Sequence, residues 1–521
     1  MLSLLLFLPL VFAIIVLVWQ NNRTLRHLAL GFSLIEFVAS LTIFSIFDPT
    51  TPKIQMIEKY PWIERFGISY FLGIDGISIW LVLLTTFLLP VVILASWKSI
   101  ETKVKGFHVS LFVLQTAMLG TFLALDGIFF YLFWELSLVP MYFMIGIWGG
   151  QRRIYATVKF FIFTMVGSVL MLVAIIYLML LTKESTGQMS ASLMDFYKLQ
   201  LPFVAGDFFT PQTLMFFAFA LAFAIKVPVF PFHTWLPDAH VEAPTPGSVI
   251  LAAVMLKMGT YGFIRWAIPI FPQAAEYWAW IFMVVGAVGI IYGAWVAMVQ
   301  PDVKKLIAYS SVSHMGYVML GMFAFNEQGL SGALYQMLNH GISTGALFLL
   351  IGMIYERTHS REISKYGGLA SVLPVYTIFF FIALLSSIAV PLTNGFVGEF
   401  LILLGTFQTN KTIAAIAVLG VIFGAVYMLW MFKRMFFGQK GELVKDDHHP
   451  LLDLSAREIV VLVPLVILIF WMGLFPNDFM KWSEVSVKHF IQNKNTYSLT
   501  LNSESVEQQN ISKAEAFNVG F

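Results

Sequence analysis

The chain has 521 residues, of which 59% are hydrophobic and only 12% are charged, and its formal net charge is +2. Apolar segments follow one another from end to end, so the composition excludes a water-soluble domain and predicts a polytopic membrane protein. The small net charge gives no reason to expect a nucleic-acid partner. The sequence contains no cysteine, which excludes disulfides and cysteine-held iron–sulfur clusters.

A transmembrane helix needs about 20 apolar residues, and on this criterion the sequence predicts an all-α polytopic membrane protein with about 14 transmembrane helices. The first apolar run lacks a basic start and a small-residue cleavage site, so we interpret it as a retained helix and not a signal peptide. The predicted spans are 2–19, 27–47, 77–97, 108–125, 127–148, 157–181, 212–231, 248–268, 275–299, 305–324, 331–354, 373–406, 412–436 and 459–476.

The seventh predicted span is interrupted where lipid favours an unbroken helix. Lys226 lies within its apolar run, and Pro228 and Pro231 follow. Charges and helix-breaking prolines at this depth are tolerated where they face protein or water, so they indicate a functional site. The twelfth span is too long for one straight helix and contains Pro391 and Gly395, and we predict that it is broken as well.

The two interrupted spans hold the same place in two sets of five spans. Because five is odd, the second set must be inverted relative to the first, which predicts two inverted five-helix repeats, each with a broken helix. The predicted divisions are 1–107 for three N-terminal helices, 108–268 for the first repeat (half-channel 1), 275–436 for the second repeat (half-channel 2), 437–480 for an amphipathic loop and helix 14, and 481–521 for a polar C-terminal tail.

Lysine and arginine are enriched in alternate loops, which predicts that the N-terminus and the C-terminus both lie outside. Arg265 is near the outer end of the eighth span, where we expect its side chain to snorkel to the surface. Asp126 begins the fifth span and is expected to cap its helix. The residues from about Asn493 to Phe521 are polar and rich in Asn, Ser, Glu and Gln, which indicates a flexible tail.

Ionisable side chains recur within the predicted spans, where they are energetically costly. A carboxylate and a lysine in one low-dielectric site keep each other charged, and histidine titrates near physiological pH. An ordered series over several helices therefore favours a proton relay, although a single pair can also be a static packing contact, as can each histidine. The six residues of this predicted relay are Glu135, Lys226, Lys257, His314, His340 and Glu399.

Other chemistry has weaker support in the sequence. His233, Asp238, His240 and Glu242 include metal-binding side chains, but the breakers beside them favour a structured turn, so we predict no metal site. Nothing besides the two buried histidines suggests a haem. The sequence has no Walker-type loop, dinucleotide fingerprint or hydrolytic triad. We therefore expect no cofactor in this chain and no bond-making chemistry of its own.

Three motifs resemble the antiporter-like subunits of respiratory complex I, and the resemblance extends over almost the whole chain up to about residue 480. At Glu399 the L-type and N-type members and the Mrp-type antiporters typically have lysine, so this chain differs from those branches. It also stops after the last span, without the long lateral helix of the L-type members. The motifs are Phe232-His233-Thr234-Trp235-Leu236-Pro237-Asp238-Ala239-His240 with Ala243-Pro244-Thr245, Leu256-Lys257 and Tyr261-Gly262 after it, Lys305-Leu306-Ile307-Ala308-Tyr309-Ser310-Ser311-Val312-Ser313-His314-Met315-Gly316, and Asp453-Leu454-Ser455-Ala456-Arg457-Glu458.

The resemblance implies a role for each residue of the predicted relay. Glu135 and Lys226 match the ion pair of the first half-channel, and Lys257 matches the central lysine. His314 and His340 match the connecting histidines, and Glu399 matches the terminal carboxylate of the second half-channel.

The resemblance also implies a setting, which is a proton-translocating NADH–quinone oxidoreductase in a bacterial inner (plasma) membrane. The expected partners are the L-type and N-type antiporter-like subunits on either side and the lipid bilayer. NADH, quinone, flavin and iron–sulfur clusters are expected on other subunits. Two alternatives stay open, a subunit of an Mrp-type cation/proton antiporter and a structural membrane scaffold whose charges only pack helices.

Overall fold

The computed structural model describes residues 1–445 and 451–492, apart from the side chains of Asn22 and Arg23. The tail predicted from residue 493 lies outside the described residues. Ten described helices are long and apolar enough to cross a membrane, and four shorter apolar helices accompany them. The predicted class, a helical polytopic membrane protein, is confirmed, whereas the count of 14, the inverted repeats and the domain boundaries stay predictions.

A β-hairpin occupies the connection between the predicted spans 27–47 and 77–97. The hairpin is antiparallel, and its turn contains Gly67 with φ of 64°, where a Cβ atom would overlap the carbonyl of Met189. Its second strand is buried and its first is largely exposed. The elements are α1 (Leu2–Val18), α2 (Asn22–Leu41), α3 (Ile43–Ile46), β1 (Gln55–Ile63), a 3₁₀ turn (Glu64–Phe66), β2 (Ile68–Ile74) and α4 (Ile79–Ala95).

The next group of helices leads to the first helix break. Asp126 caps α6 by accepting from the backbone N–H groups of Ile128 and Phe129, both at 3.1 Å, which confirms its predicted role. It also accepts from the backbone N–H of Ser69 at 2.9 Å and so attaches the hairpin to this helix. The elements are α5 (Val104–Leu123), α6 (Gly127–Leu136), α7 (Leu138–Trp148), α8 (Arg153–Thr186), α9 (Leu193–Phe196) and α10 (Pro211–Lys226).

The seventh predicted span is broken, as the sequence indicates. Its first half ends at Lys226, a turn with Pro228 and Pro231 follows, and a second short helix resumes at Trp235. The eighth span is continuous but contains two wider π-helical segments. The elements are α11 (Trp235–Glu242), α12 (Thr245–Ile250), π segment Leu251–Met255, α13 (Leu256–Gly262), π segment Phe263–Ala267 and α14 (Ile268–Ile270).

The remaining helices include the second predicted break, which lies between α19 and α20 at residues 388–393. Residues 484–492 are also helical, and they belong to the first part of the polar segment predicted at 481–521. The elements are α15 (Pro272–Tyr277), α16 (Ala279–Met298), α17 (Val303–Phe323), α18 (Glu327–Thr358), 3₁₀ turns Ile363–Lys365 and Leu369–Ser371, α19 (Pro374–Ser387), α20 (Asn394–Thr409), α21 (Lys411–Phe436), α22 (Ala456–Leu474) and α23 (Asn477–Met480).

Burial separates the central helices from the lipid-facing ones. The continuous helix from Thr245 to Ile270 and helices α17 and α18 are buried along nearly their whole length, whereas α2, α8, α21 and α22 expose many apolar side chains. Polar residues on the central helices are therefore shielded from lipid. This arrangement satisfies the requirement that ionisable groups within a membrane face protein or water.

The prediction that Arg265 snorkels is wrong. Its guanidinium is buried and forms a salt bridge of 2.5 Å with Asp75, which follows β2. A second donor, Nε, bonds to the Tyr261 hydroxyl at 3.3 Å, and Tyr197 donates to the backbone carbonyl of Arg265 at 2.6 Å. The arginine thus joins the eighth span to the hairpin region inside the protein.

Candidate functional site

Lys226 is the last residue of α10, so its side chain lies at the first helix break. The ammonium is fully buried and donates to the Ser137 hydroxyl at 3.2 Å. It also lies 5.3 Å from the ring of Trp134 and 5.8 Å from that of Phe160, which is cation–π distance. Pro228 and Pro231 end the helix at this point, and the break places a charge among aromatic rings and one hydroxyl.

Glu135 lies on α6, two residues before Ser137, which separates α6 from α7. Its carboxyl is near the Ser168 hydroxyl and the Lys226 ammonium, and its Oε1 is buried without a hydrogen-bond partner in the described chain. Within the described residues no salt bridge of 4.0 Å or less joins Glu135 to Lys226, because the lysine is bonded to Ser137. The pair implied by the family resemblance is therefore near but open in this structure.

Lys257 is fully buried and makes two short hydrogen bonds, one of them to a backbone carbonyl of the π segment before it. In that segment the Leu256 N–H donates to the carbonyl of Leu251, five residues back. The carbonyl of Ala252 accepts from the Lys257 ammonium at 2.7 Å, and the ammonium lies 2.7 Å from Nδ1 of His340. A protonated Lys257 amine can only donate, so in that state His340 accepts through Nδ1.

His314 and Glu399 form the second direct contact within the predicted relay. Nδ1 of His314 on α17 lies 2.9 Å from Oε1 of Glu399 on α20, and both side chains are buried. The same carboxylate oxygen accepts from Nε2 of Gln336 at 3.0 Å. Nε2 of His314 lies 3.4 Å from the Ser387 hydroxyl at the end of α19, beside the second helix break.

The two contacts are neighbours. The rings of His314 and His340 are 5.9 Å apart between their centres, in an edge-on arrangement. No hydrogen bond joins the two rings in the described chain, and Nε2 of His340 is buried without a partner, so a water molecule is a suitable link between them. The structure thus brings Lys257, His340, His314 and Glu399 into one buried row.

The two residues near the first break are not joined to that row by a hydrogen bond in the described part of the chain. Helices α10 and α13 nevertheless pack closely, because a Cβ atom at Gly259 would lie 2.8 Å from the Phe223 carbonyl and 3.0 Å from the Val227 nitrogen. The backbone next to Lys226 therefore contacts the helix of Lys257 directly.

Three residues outside the predicted relay also take part in the site. Ser137 holds Lys226, Gln336 holds Glu399 and Ser387 lies beside His314. Gln336 had a usable signal, since it precedes His340 by one helical turn in an apolar helix. The serines near His314 bond to backbone carbonyls, as Ser313 does to Ile290 at 2.9 Å.

The polar turn after the first break has no metal-binding geometry. No group of three or more metal-binding side chains is found among the described residues. His240 is buried and stacks on Phe348 with ring centres 4.7 Å apart, and Asp238 pairs with Lys159 at 2.7 Å. His240 therefore has a stacking partner and Asp238 has an ion-pair partner, and neither contact involves a metal.

Comparison with known proteins shows the family of this chain. A family model described as "NADH:quinone oxidoreductase/Mrp antiporter, TM" matches residues 124–424, and one described as "NADH-ubiquinone oxidoreductase chain 4, amino terminus" matches residues 1–125. The chain belongs to the NADH:quinone oxidoreductase/Mrp antiporter transmembrane family. The six residues of the predicted relay lie within the larger match.

Individual relatives support the same assignment. The chain is 47% identical over 503 residues to NADH-quinone oxidoreductase subunit M of Rhodobacter capsulatus, which covers 95% of this chain and 96% of the relative. A chain in respiratory complex I from Thermus thermophilus is 32% identical, with a TM-score of 0.84 and coverage of 94% of this chain and 99% of that one.

A chain of the Mrp complex from Dietzia has the same fold. It is 20% identical, with a TM-score of 0.82 and coverage of 94% of this chain and 97% of that one. At this identity the likeness concerns the fold alone.

Proposed function

We propose that this chain is the M-type, proton-translocating antiporter-like subunit of a respiratory NADH–quinone oxidoreductase. It passes protons through buried side chains and water while quinone reduction on other subunits supplies the energy. The near full-length similarity to subunit M of Rhodobacter capsulatus supports the assignment to this complex. L-type and N-type antiporter-like subunits are its neighbours in a bacterial inner membrane, and both termini are outside.

The observation that supports a relay most directly is the buried row from Lys257 to Glu399. Two short contacts, Lys257 to His340 and His314 to Glu399, lie end to end across α13, α18, α17 and α20. Each member can bind or release a proton, and the central helices exclude lipid from them. If these side chains only packed helices together, they would not need to be titratable or to lie in a row.

In this proposal the Glu135–Lys226 pair controls the first half-channel. With Lys226 on Ser137 the pair is open, and a movement that brings the ammonium to the Glu135 carboxylate closes it. Closing the pair alters the positive charge that Lys257 faces. This alteration drives a proton along the row to Glu399. Redox groups, NADH and quinone belong to other subunits, and this chain contributes no redox centre.

The test is proton pumping measured together with quinone reduction in membranes that contain Glu135→Ala. We expect assembly on a native gel to be normal and pumping with coupled turnover to fall by roughly 100-fold, the lower range for losing a positioned proton-transfer group. Glu184→Ala, which removes an exposed carboxylate near the end of α8, is the matched control and should leave both rates unchanged.

Two results would contradict the proposal. Normal pumping and turnover in Glu135→Ala would make this residue a packing charge and remove the pair from the relay. Failure of the complex to assemble, with normal specific turnover of the residual complex, would favour the scaffold alternative.

A further inference from the structure

A large apolar crevice lies outside the relay, between α2, α4, α18 and α22. Its volume is about 710 Å³ and its walls are aromatic and aliphatic, with Phe37, Phe87, Ile342 and Ile467 among them. Several of these side chains are on lipid-facing helices, so the crevice opens toward the bilayer. Its charged lining residues in the described chain are Asp478 and Lys481, and both lie at one end.

A polar cleft of about 560 Å³ adjoins that end. It shares Asp478 and Lys481 with the apolar crevice and adds Glu327, Glu484 and Lys488. The two cavities therefore adjoin at Asp478 and Lys481, and one is apolar whereas the other is charged. This division matches the division of a phospholipid into acyl chains and headgroup.

Tryptophans surround the junction of the two parts. The indole N–H of Trp471 donates to the Asp478 carboxylate at 2.9 Å, and that of Trp80 donates to the Phe479 carbonyl at 2.9 Å. Trp482 packs on Phe44 with ring centres 4.7 Å apart. Tryptophan is enriched at the boundary between hydrocarbon and headgroups, so the charged part lies at headgroup level.

The charges in the cleft favour a headgroup with both signs. Lys488 is paired with Glu484 at 2.6 Å, whereas neither Lys481 nor Glu327 has a salt bridge in the described part of the chain. Lys481 is placed for a phosphate, and Glu327 with Asp478 is placed for an ammonium. A headgroup with two negative charges is disfavoured, because more carboxylates than lysines line the two cavities.

We propose that the crevice binds one phospholipid whose headgroup has a phosphate and a primary ammonium, as in phosphatidylethanolamine. Its acyl chains fill the apolar part, its phosphate pairs with Lys481 and its ammonium faces Glu327 and Asp478. This inference goes beyond the proton relay and does not depend on it.

The site has a structural connection to the relay helix. Leu338 and Ile342 of α18 line the crevice, and His340 lies midway between them in sequence. Two residues correspond to about 200° of helical rotation, so His340 points away from the lipid. The acyl chains thus support the opposite face of the helix that positions His340 against Lys257.

The experiment is native mass spectrometry of the whole complex, purified in mild detergent, with the bound lipids identified after release. We expect the complex to lose one phosphatidylethanolamine when Lys481→Glu reverses the charge at the junction, and also when Ile467→Trp fills the apolar part from its lipid side. Lys183→Glu, which changes an equally exposed lysine near the end of α8, is the control and should keep the lipid.

An unchanged count of phosphatidylethanolamine in both variants would overturn the proposal. So would loss of an anionic lipid in place of phosphatidylethanolamine, which would contradict the headgroup assignment. Density from a neighbouring subunit inside the crevice of the intact complex would show that a protein, and not a lipid, is the occupant.

Discussion

The Lys226 ammonium illustrates how single residues determine the state of this site. Its partner is the Ser137 hydroxyl, at 3.2 Å, although the Glu135 carboxyl is near. The Ser137 hydroxyl donates to the Trp134 carbonyl at 2.7 Å and accepts from the ammonium, so it holds Lys226 without contacting Glu135. A serine at this position lets the pair open without leaving the lysine unsatisfied in an apolar surrounding.

The buried pair of Arg265 and Asp75 leads to a prediction about stability. Asp75→Ala leaves a buried guanidinium without its counter-charge, which we expect to cost about 3–5 kcal/mol. The double variant Asp75→Leu with Arg265→Met removes both charges and should recover most of that loss. The yield of assembled complex and the midpoint of its thermal unfolding measure both effects. Equal losses in the single and double variants would contradict this account.

Prediction from sequence succeeds for residues whose burial is a consequence of their own helix. Lys257, His314, His340 and Glu399 are all found inside the protein, because apolar neighbours in sequence surround each of them. It fails for Arg265, whose partner is 190 residues away in the chain and lies beyond any local pattern. A charge near a helix end looks the same in the sequence whether it faces water or a distant carboxylate.

At the scale of elements, the π segment Leu251–Met255 determines the position of Lys257. Deleting Ala253 should convert this segment to an α-helical turn, in which the backbone N–H of Lys257 takes the Ala252 carbonyl that the Lys257 ammonium now uses. We expect proton pumping to fall by at least roughly tenfold, since a proton-transfer group is displaced. Pumping in inverted vesicles measures the loss.

The matched control for this deletion is Ala253→Ser, which keeps the length of the segment. It should preserve both assembly and pumping. Normal pumping in the deletion variant would mean that the π segment has no role in placing the lysine.

Helix breaks are predictable from sequence because proline removes a backbone donor. The breaks after Lys226 and around Pro391 lie where the sequence places them. The hairpin was missed, although Ile68–Ile74 is an apolar run rich in β-branched and aromatic residues, which is typical of a strand. Helical patterns dominate this chain, so a single short strand is easily overlooked. Its partner strand is mostly exposed and therefore adds no second apolar run.

At the scale of the whole molecule, the fold is shared with a chain of respiratory complex I and a chain of an Mrp complex, so the fold alone does not select between the two functions. Our proposal predicts that quinone reduction and proton pumping by the complex in liposomes are independent of sodium at constant ionic strength. Initial rates with sodium replaced by potassium or choline measure this. Sodium uptake coupled to turnover would contradict the proposal and favour the Mrp-type alternative.

The distance of 2.7 Å between Lys257 and His340 limits how much charge the centre of the protein can hold. Two unit charges of the same sign repel by about 4 kcal/mol at 4 Å for an effective dielectric constant of about 20, and more at shorter range. The pair is therefore a single-occupancy position, in which a second proton expels the first. His314 and Glu399 lie on one side of this pair, so in the proposed relay the expelled proton passes to them, and the movement of Lys226 between Ser137 and Glu135 supplies the direction.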